Sequence, residues 1–214
     1  DTITWGHSQG GHAALWTGML APTYAPDVRL DGVAALAPAG DLPALVDSLP
    51  DVSIGSIFAT YVVEAYAQGY DDVRVDEYVR PAARTAFRSA ADRCLDATAL
   101  ASAVSSLALG FDGLAPDLGA GALADRLRAN VPAGRIDAPL LIGQGGADTL
   151  ILPAVQRRYV DRLCAAGQVV DFRVYEGRDH VGVMQRDAAL IPDLLRWTAA
   201  RFAGEAPDAG CPSS

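Results

Sequence analysis

The apolar and polar positions divide the chain into strand-like ends around a helical middle. Residues 2–5 (TITW) are β-branched and aromatic and read as the end of a strand. They run into a glycine-rich turn, Gly6-His7-Ser8-Gln9-Gly10-Gly11. An apolar stretch of helical character follows over residues 8–20 and is expected to stop near Pro22. Residues 31–38 (DGVAALAP) form a short apolar run and read as a buried strand. Residues 41–139 change character: they are Ala-rich and helical, broken at Pro50, Gly55, Gly69, Pro81, Gly110 and Pro132, with one or two amphipathic helices over 80–107. Strand signals return at 138–143 (APLLIG) and at 169–175 (VVDFRVY). Between them, 153–166 reads as a helix, with Pro153 in its first turn and Gly167 as its stop. A last helix is expected over 181–202, followed by an extended tail over 204–214.

A strand, helix, strand, insertion, strand, helix, strand, helix order calls for parallel βαβ units. The fold class is therefore α/β. The expected organisation is a core from residues 1–44 and 136–214, with a helical insertion at 45–135. The 214 residues suffice for one sizeable core plus that insertion. At 50% hydrophobic and 20% charged residues, the composition is too apolar for a disordered chain. The net charge of −9 repels phosphate backbones, so nucleic acid is not an expected partner. Every basic residue is Arg, which we read as a coding bias. The three cysteines, Cys94, Cys164 and Cys211, have no metal-ligand spacing, and no metal is expected. Their odd number fits free thiols or one disulfide plus an unpaired cysteine. With a first residue other than Met, it also fits a piece of a longer protein.

The chemistry concentrates at Gly6-His7-Ser8-Gln9-Gly10, a G-x-S-x-G turn between a strand and a helix. Such a turn strains the serine backbone, and side chains at both flanking glycines are expected to collide with the adjoining strand and helix. The following helix aims its free N–H groups at the serine. A serine nucleophile needs a base and an orienting acid. Of the three histidines, His7 sits on the turn with its side chain pointing away from the serine. His12 lies one helical turn on, in or near the pocket wall. His180 follows the last strand, in the loop Glu176-Gly177-Arg178-Asp179-His180, where a base at the carboxyl edge of the sheet belongs. Asp148 follows the preceding strand, behind small residues that let its loop turn tightly. Asp179 is a rival acid, but neighbouring side chains in an extended loop point apart. The chain order Ser8, Asp148, His180 is that of an α/β-hydrolase. The backbone N–H of Gln9 is the candidate oxyanion donor.

The chain resembles the later half to two-thirds of an α/β-hydrolase, and residues 5–16 (WGHSQGGHAALW) with 35–42 (ALAPAGDL) resemble the secretory lipase family of actinobacteria and fungi. The resemblance implies a secreted serine esterase acting on acylglycerols or simpler esters, with no cofactor. It implies a helical cap at 45–135, with residues 54–63 as candidate lining of an acyl channel, and transient contact with a lipid interface. It also implies further strands and a second oxyanion donor ahead of the elbow, which would otherwise leave an exposed sheet edge. With secretion, a Cys164–Cys211 disulfide and three free thiols both remain open. The rival readings are a serine peptidase of the prolyl oligopeptidase type, whose elbow also ends in Gly-Gly, and a non-catalytic protein on the same fold.

Overall fold

Among the described residues four strands carry the first compact unit: β1 (Thr2–His7), β2 (Leu30–Leu36), β3 (Leu140–Gly145) and β4 (Val170–Tyr175). All pairings are parallel, and the strands lie in the order β1-β2-β3-β4. This computed structural model describes residues 1–52, 54–93, 111–114, 117–206 and 210–211. Two compact units form, one from Asp1–Asp41 with Val131–Ser214 and the other from Leu42–Asn130.

In the first unit the sheet is covered on both faces. That is why residues 33–36 of β2 and 140–142 of β3 read as apolar runs instead of alternating ones. The strand period of two sends Val33, Ala35, Leu140 and Ile142 to one face. There they meet α1 (Gln9–Tyr24) through Leu15. Ala34, Leu36 and Leu141 face the other way, against Leu190, Leu194 and Trp197 of a C-terminal helix (Leu190–Phe202). The indole of Trp197 approaches so closely that a Cβ on Gly32 would lie 2.5 Å from its ring, so the glycine admits the aromatic group. Among the described residues β1 pairs only with β2, and Trp5 is 45% exposed.

The second unit holds α2 (Leu42–Ser48), α3 (Gly55–Gly69), α4 (Val75–Tyr78), α5 (Arg84–Ala91) and α6 (Gly121–Ala129). Its interior includes Leu49, Ala59, Val63, Phe87, Leu123 and Leu127. The buried Tyr78 hydroxyl accepts the Leu123 N–H, while the Arg126 guanidinium pairs with Asp72 and lies over the Tyr70 ring. Gly55 opens α3 instead of breaking it, and glycine is needed there, since a Cβ would lie 1.8 Å from the Leu49 carbonyl oxygen. Residues 94–107 of the expected amphipathic helices, Gly110 and Cys94 lie outside the described residues.

In the later part of the first unit, α7 (Pro153–Ala165) follows β3 and α8 (Leu190–Phe202) comes after β4. Two helix boundaries differ from expectation. The helix α1 runs through Pro22 to Tyr24. The proline removes one bond near the helix end, and the Ala25 N–H closes the last turn on the Ala21 carbonyl. The last helix begins at Leu190, well after residue 181. Pro192 has no N–H to give and falls in the first turn of this helix, where none is needed, and residues 182–184 form a separate 3-10 turn. A disulfide joins Cys164 to Cys211, which excludes the free-thiol state for these two.

Candidate active site

Ser8 stands between the end of β1 and the start of α1, with φ 58 and ψ −119. A non-glycine residue in this region is strained and persists only where its surroundings hold it. Three backbone bonds do so. The Ser8 N–H donates to the Leu36 carbonyl at 2.9 Å, and its own carbonyl accepts the N–H groups of His12 at 3.1 Å and Ala39 at 3.3 Å. Gly6 is required here, since a Cβ would lie 1.8 Å from the Gly10 carbonyl oxygen. The expected crowding at Gly10 is absent, because a Cβ there meets nothing within 4 Å. The constraint falls on Gly11, where a Cβ would lie 3.0 Å from the Pro38 side chain and 3.1 Å from the Gly6 carbonyl oxygen. The turn is tight because of how α1 packs on its neighbours, and this moves the second constraint one residue along.

Asp148 sits in the loop after β3, with its side chain fully buried. Its Oδ1 accepts the backbone N–H groups of Leu150 at 2.9 Å and Ile151 at 2.8 Å. Its Oδ2 accepts the side-chain amide of Gln144 at 3.1 Å and His180 Nδ1–H at 2.8 Å. The carboxylate is an acceptor, so the proton of His180 lies on Nδ1 and leaves Nε2 free to accept. Ser8 Oγ–H points to that Nε2 at 2.9 Å. Side chains far apart in the chain thus form one hydrogen-bonded line, from a hydroxyl through an imidazole to a buried carboxylate. Gln9 is the first residue of α1, where N–H groups have no acceptor within the helix.

The two loops that carry Asp148 and His180 touch directly. The Ala147 N–H donates to the Arg178 carbonyl at 2.9 Å, and a Cβ on Gly145 would lie 2.4 Å from that same oxygen. Glycine at the end of β3 therefore serves close approach between loops. Arg178 reaches forward to Asp187 and fastens the His180 loop to the segment before α8. The rival acid is otherwise engaged: Asp179 Oδ1 accepts the Gly182 N–H at 2.6 Å.

Two contributors were given no role at the site by the sequence. Gln144 is fully buried in β3, and its side-chain nitrogen faces Asp148 Oδ2 and the carbonyls of Gly145 and Ile151. A lone amide inside the run Leu140-Leu141-Ile142-Gly143-Gln144, four residues before the acid, was the available signal. His7 reaches the base: its Nε2–H donates to the His180 carbonyl at 2.8 Å, and the two rings lie 4.7 Å apart. Burial, and next the nearby His180, lower the His7 pKa below its ordinary value. His12 Nδ1–H donates to the Ala39 carbonyl at 2.8 Å, and burial lowers its pKa as well. Among the described residues, no group of three or more His, Cys, Asp or Glu side chains could hold a metal ion.

A family model described as secretory lipase matches residues 1–210. The chain belongs to the secretory lipase family. This secretory lipase family member is 27% identical over 222 residues to Lipase 6 of Candida albicans, covering 98% of this chain and 47% of that protein. It is 24% identical over 220 residues to Lipase A of Arthroderma benhamiae, covering 98% of this chain and 45% of the relative. The chain thus spans about half the length of the curated relatives it matches. Among solved structures, Candida antarctica lipase A superposes with a TM-score of 0.77 at 17% identity, over 99% of this chain and 51% of that one. The rice cell wall degrading esterase LipA from Xanthomonas oryzae superposes with a TM-score of 0.71 at 14% identity, over 94% of this chain and 56% of that one. The fold of this secretory lipase family member is the α/β-hydrolase fold.

Proposed function

We propose that the protein is a secreted serine hydrolase of carboxylic esters, acting on acylglycerols or simpler esters. The carrying observation is the line Ser8 Oγ, His180 Nε2 and Nδ1, Asp148 Oδ2, with separations of 2.9 and 2.8 Å. In this reading Ser8 Oγ attacks the ester carbonyl carbon while His180 Nε2 takes its proton. The carbonyl oxygen becomes an oxyanion and accepts the Gln9 backbone N–H, aided by the positive end of α1. The C–O bond to the alcohol then breaks, and His180 hands its proton to the leaving oxygen. Water enters, gives a proton to His180 and attacks the acyl-enzyme. The second tetrahedral intermediate collapses to the acid, and Ser8 Oγ recovers its proton. Asp148 keeps the imidazole in the required tautomer and offsets the charge of the imidazolium.

The four donors around Asp148 support this role, because they fix its carboxylate as an acceptor aimed at His180. Family membership supports ester chemistry, and the Cys164–Cys211 disulfide supports an oxidising compartment such as the cell exterior. The unit Leu42–Asn130 stands at the chain position where the resemblance puts a cap, and its service as one is part of the proposal. The test is hydrolysis of p-nitrophenyl esters from acetyl to palmitoyl, with Ser8→Ala as control. Removing the nucleophile is expected to lower kcat by about 10⁴-fold or more. Retention of more than a few per cent of the rate overturns the assignment.

A further inference from the structure

We infer that His7 is a positioning residue that fixes the base of the proposed reaction: it bonds the backbone carbonyl of His180 while packing its ring against the His180 ring. The inference rests on the ester-hydrolase reading above. It begins with the sheet order. Ser8 follows β1 and His180 follows β4, the two outermost of the four described strands. No ladder bond joins these strands, so the sheet alone sets the serine-to-imidazole distance only through β2 and β3. The His180 side chain is steered by Asp148, whose loop belongs to β3 and not to the serine's strand.

His7 supplies the direct tie. It is the last residue of β1 and the neighbour of Ser8, and its Nε2–H reaches the His180 carbonyl at 2.8 Å. His180 is thereby held at two points: Nδ1 by Asp148 and the main chain by His7. The ring contact at 4.7 Å limits rotation of the imidazole out of line with Ser8. Such a neighbour must be uncharged, since a cation there would oppose the imidazolium that forms during acyl transfer. Burial and the proximity of His180 both favour neutral His7, against a smaller pull from Asp148 and from the bond to the His180 carbonyl. A displacement of about 1 Å at a catalytic group costs on the order of 10²-fold in rate.

Two variants of the full chain separate this role from plain packing. His7→Phe keeps a ring but has no donor, whereas the Gln amide in His7→Gln can reproduce the Nε2–H. With p-nitrophenyl butyrate, His7→Phe is expected to lose about 10- to 100-fold in kcat with KM within about twofold. His7→Gln should recover to within about threefold of the parent. Rates are counted per active molecule by fluorophosphonate titration, so misfolded protein does not enter them. Equal losses in both variants, or a loss carried by KM, overturn the inference. A second readout is independent of turnover: solvent exchange of the His180 Nδ1–H, followed by proton NMR. It should be slow in the parent and in His7→Gln but faster in His7→Phe. Unchanged exchange in His7→Phe overturns the inference. A parent that hydrolyses no ester defeats the functional reading instead, and the exchange measurement then decides the role of His7 by itself.

Discussion

His12 shows how a single half-buried imidazole ties stability to pH. Its Nδ1–H is bonded to the Ala39 carbonyl, and burial holds its folded pKa below the ordinary 6.5. Below pH 6.5 the unfolded chain therefore binds more protons at this site than the folded one, so stability falls as the pH falls. The contribution is intact above 6.5 and is lost as the pH drops toward the lowered folded value. An Asn amide can stand in for Nδ1–H without titrating. His12→Asn should flatten the fall in Tm between about pH 7 and pH 5; an unchanged slope would place the titration elsewhere. At this scale the sequence named Ser8, Asp148 and His180 by type and order, and the structure brings their side chains within hydrogen-bond distance. Gln144 was passed over and His7 was only turned away from the serine, because what each does depends on a partner the sequence does not name: the Asp148 carboxylate four residues on for Gln144, and a backbone carbonyl on a distant loop for His7. Neither residue belongs to a motif that names its partner.

At the scale of elements, the strand-turn-helix around Ser8 was legible as a unit, but its steric logic was not. The turn motif marks both Gly6 and Gly10, and only Gly6 is sterically required. Gly6→Ala is expected to cost about 3 kcal/mol or more, because the clash is with backbone. Gly10→Ala, inside a helix with open space beside it, should raise stability by about 0.5–1 kcal/mol. Urea unfolding of both variants checks the pair, and equal destabilisation would contradict the packing described. The ends of α1 and α8 were misplaced in the sequence reading for one shared reason. A proline reports that an N–H is missing, but whether the chain can do without it depends on how near a helix end it lies. Pro22 lies near the end of α1, and Pro192 near the start of α8.

For the whole molecule, the disulfide and a short β contact bind the C-terminal segment to the sheet unit. Cys164 in α7 joins Cys211 across a sequence separation of 47 residues, and Gly210 pairs in parallel with Asp171 on β4. A crosslink over such a loop stabilises chiefly by restricting the unfolded chain, by roughly 2–4 kcal/mol. Cys211→Ser should lower the urea midpoint accordingly, and reducing agent should lower the parent to the same level. A variant as stable as the oxidised parent would remove the disulfide from the stability account. The pairing remained open in the sequence, because spacing between cysteines carries no distance between their side chains.

By itself the sequence determined the α/β class, the four described strands, most of the helices around them and the candidate residues of the proposed hydrolytic site. These follow from local information: apolar runs of strand or helix length, prolines and glycines at their ends, and a serine at a strained turn. The tertiary structure decided what meets what. It turned Asp179 Oδ1 onto the Gly182 N–H, moved the steric constraint from Gly10 to Gly11, and joined Cys164 to Cys211. It also brought His7 onto the carbonyl of a residue 173 positions away. Periodicity decays within a few turns of chain. Contacts over such separations depend on how four strands twist and stack, which no single segment contains.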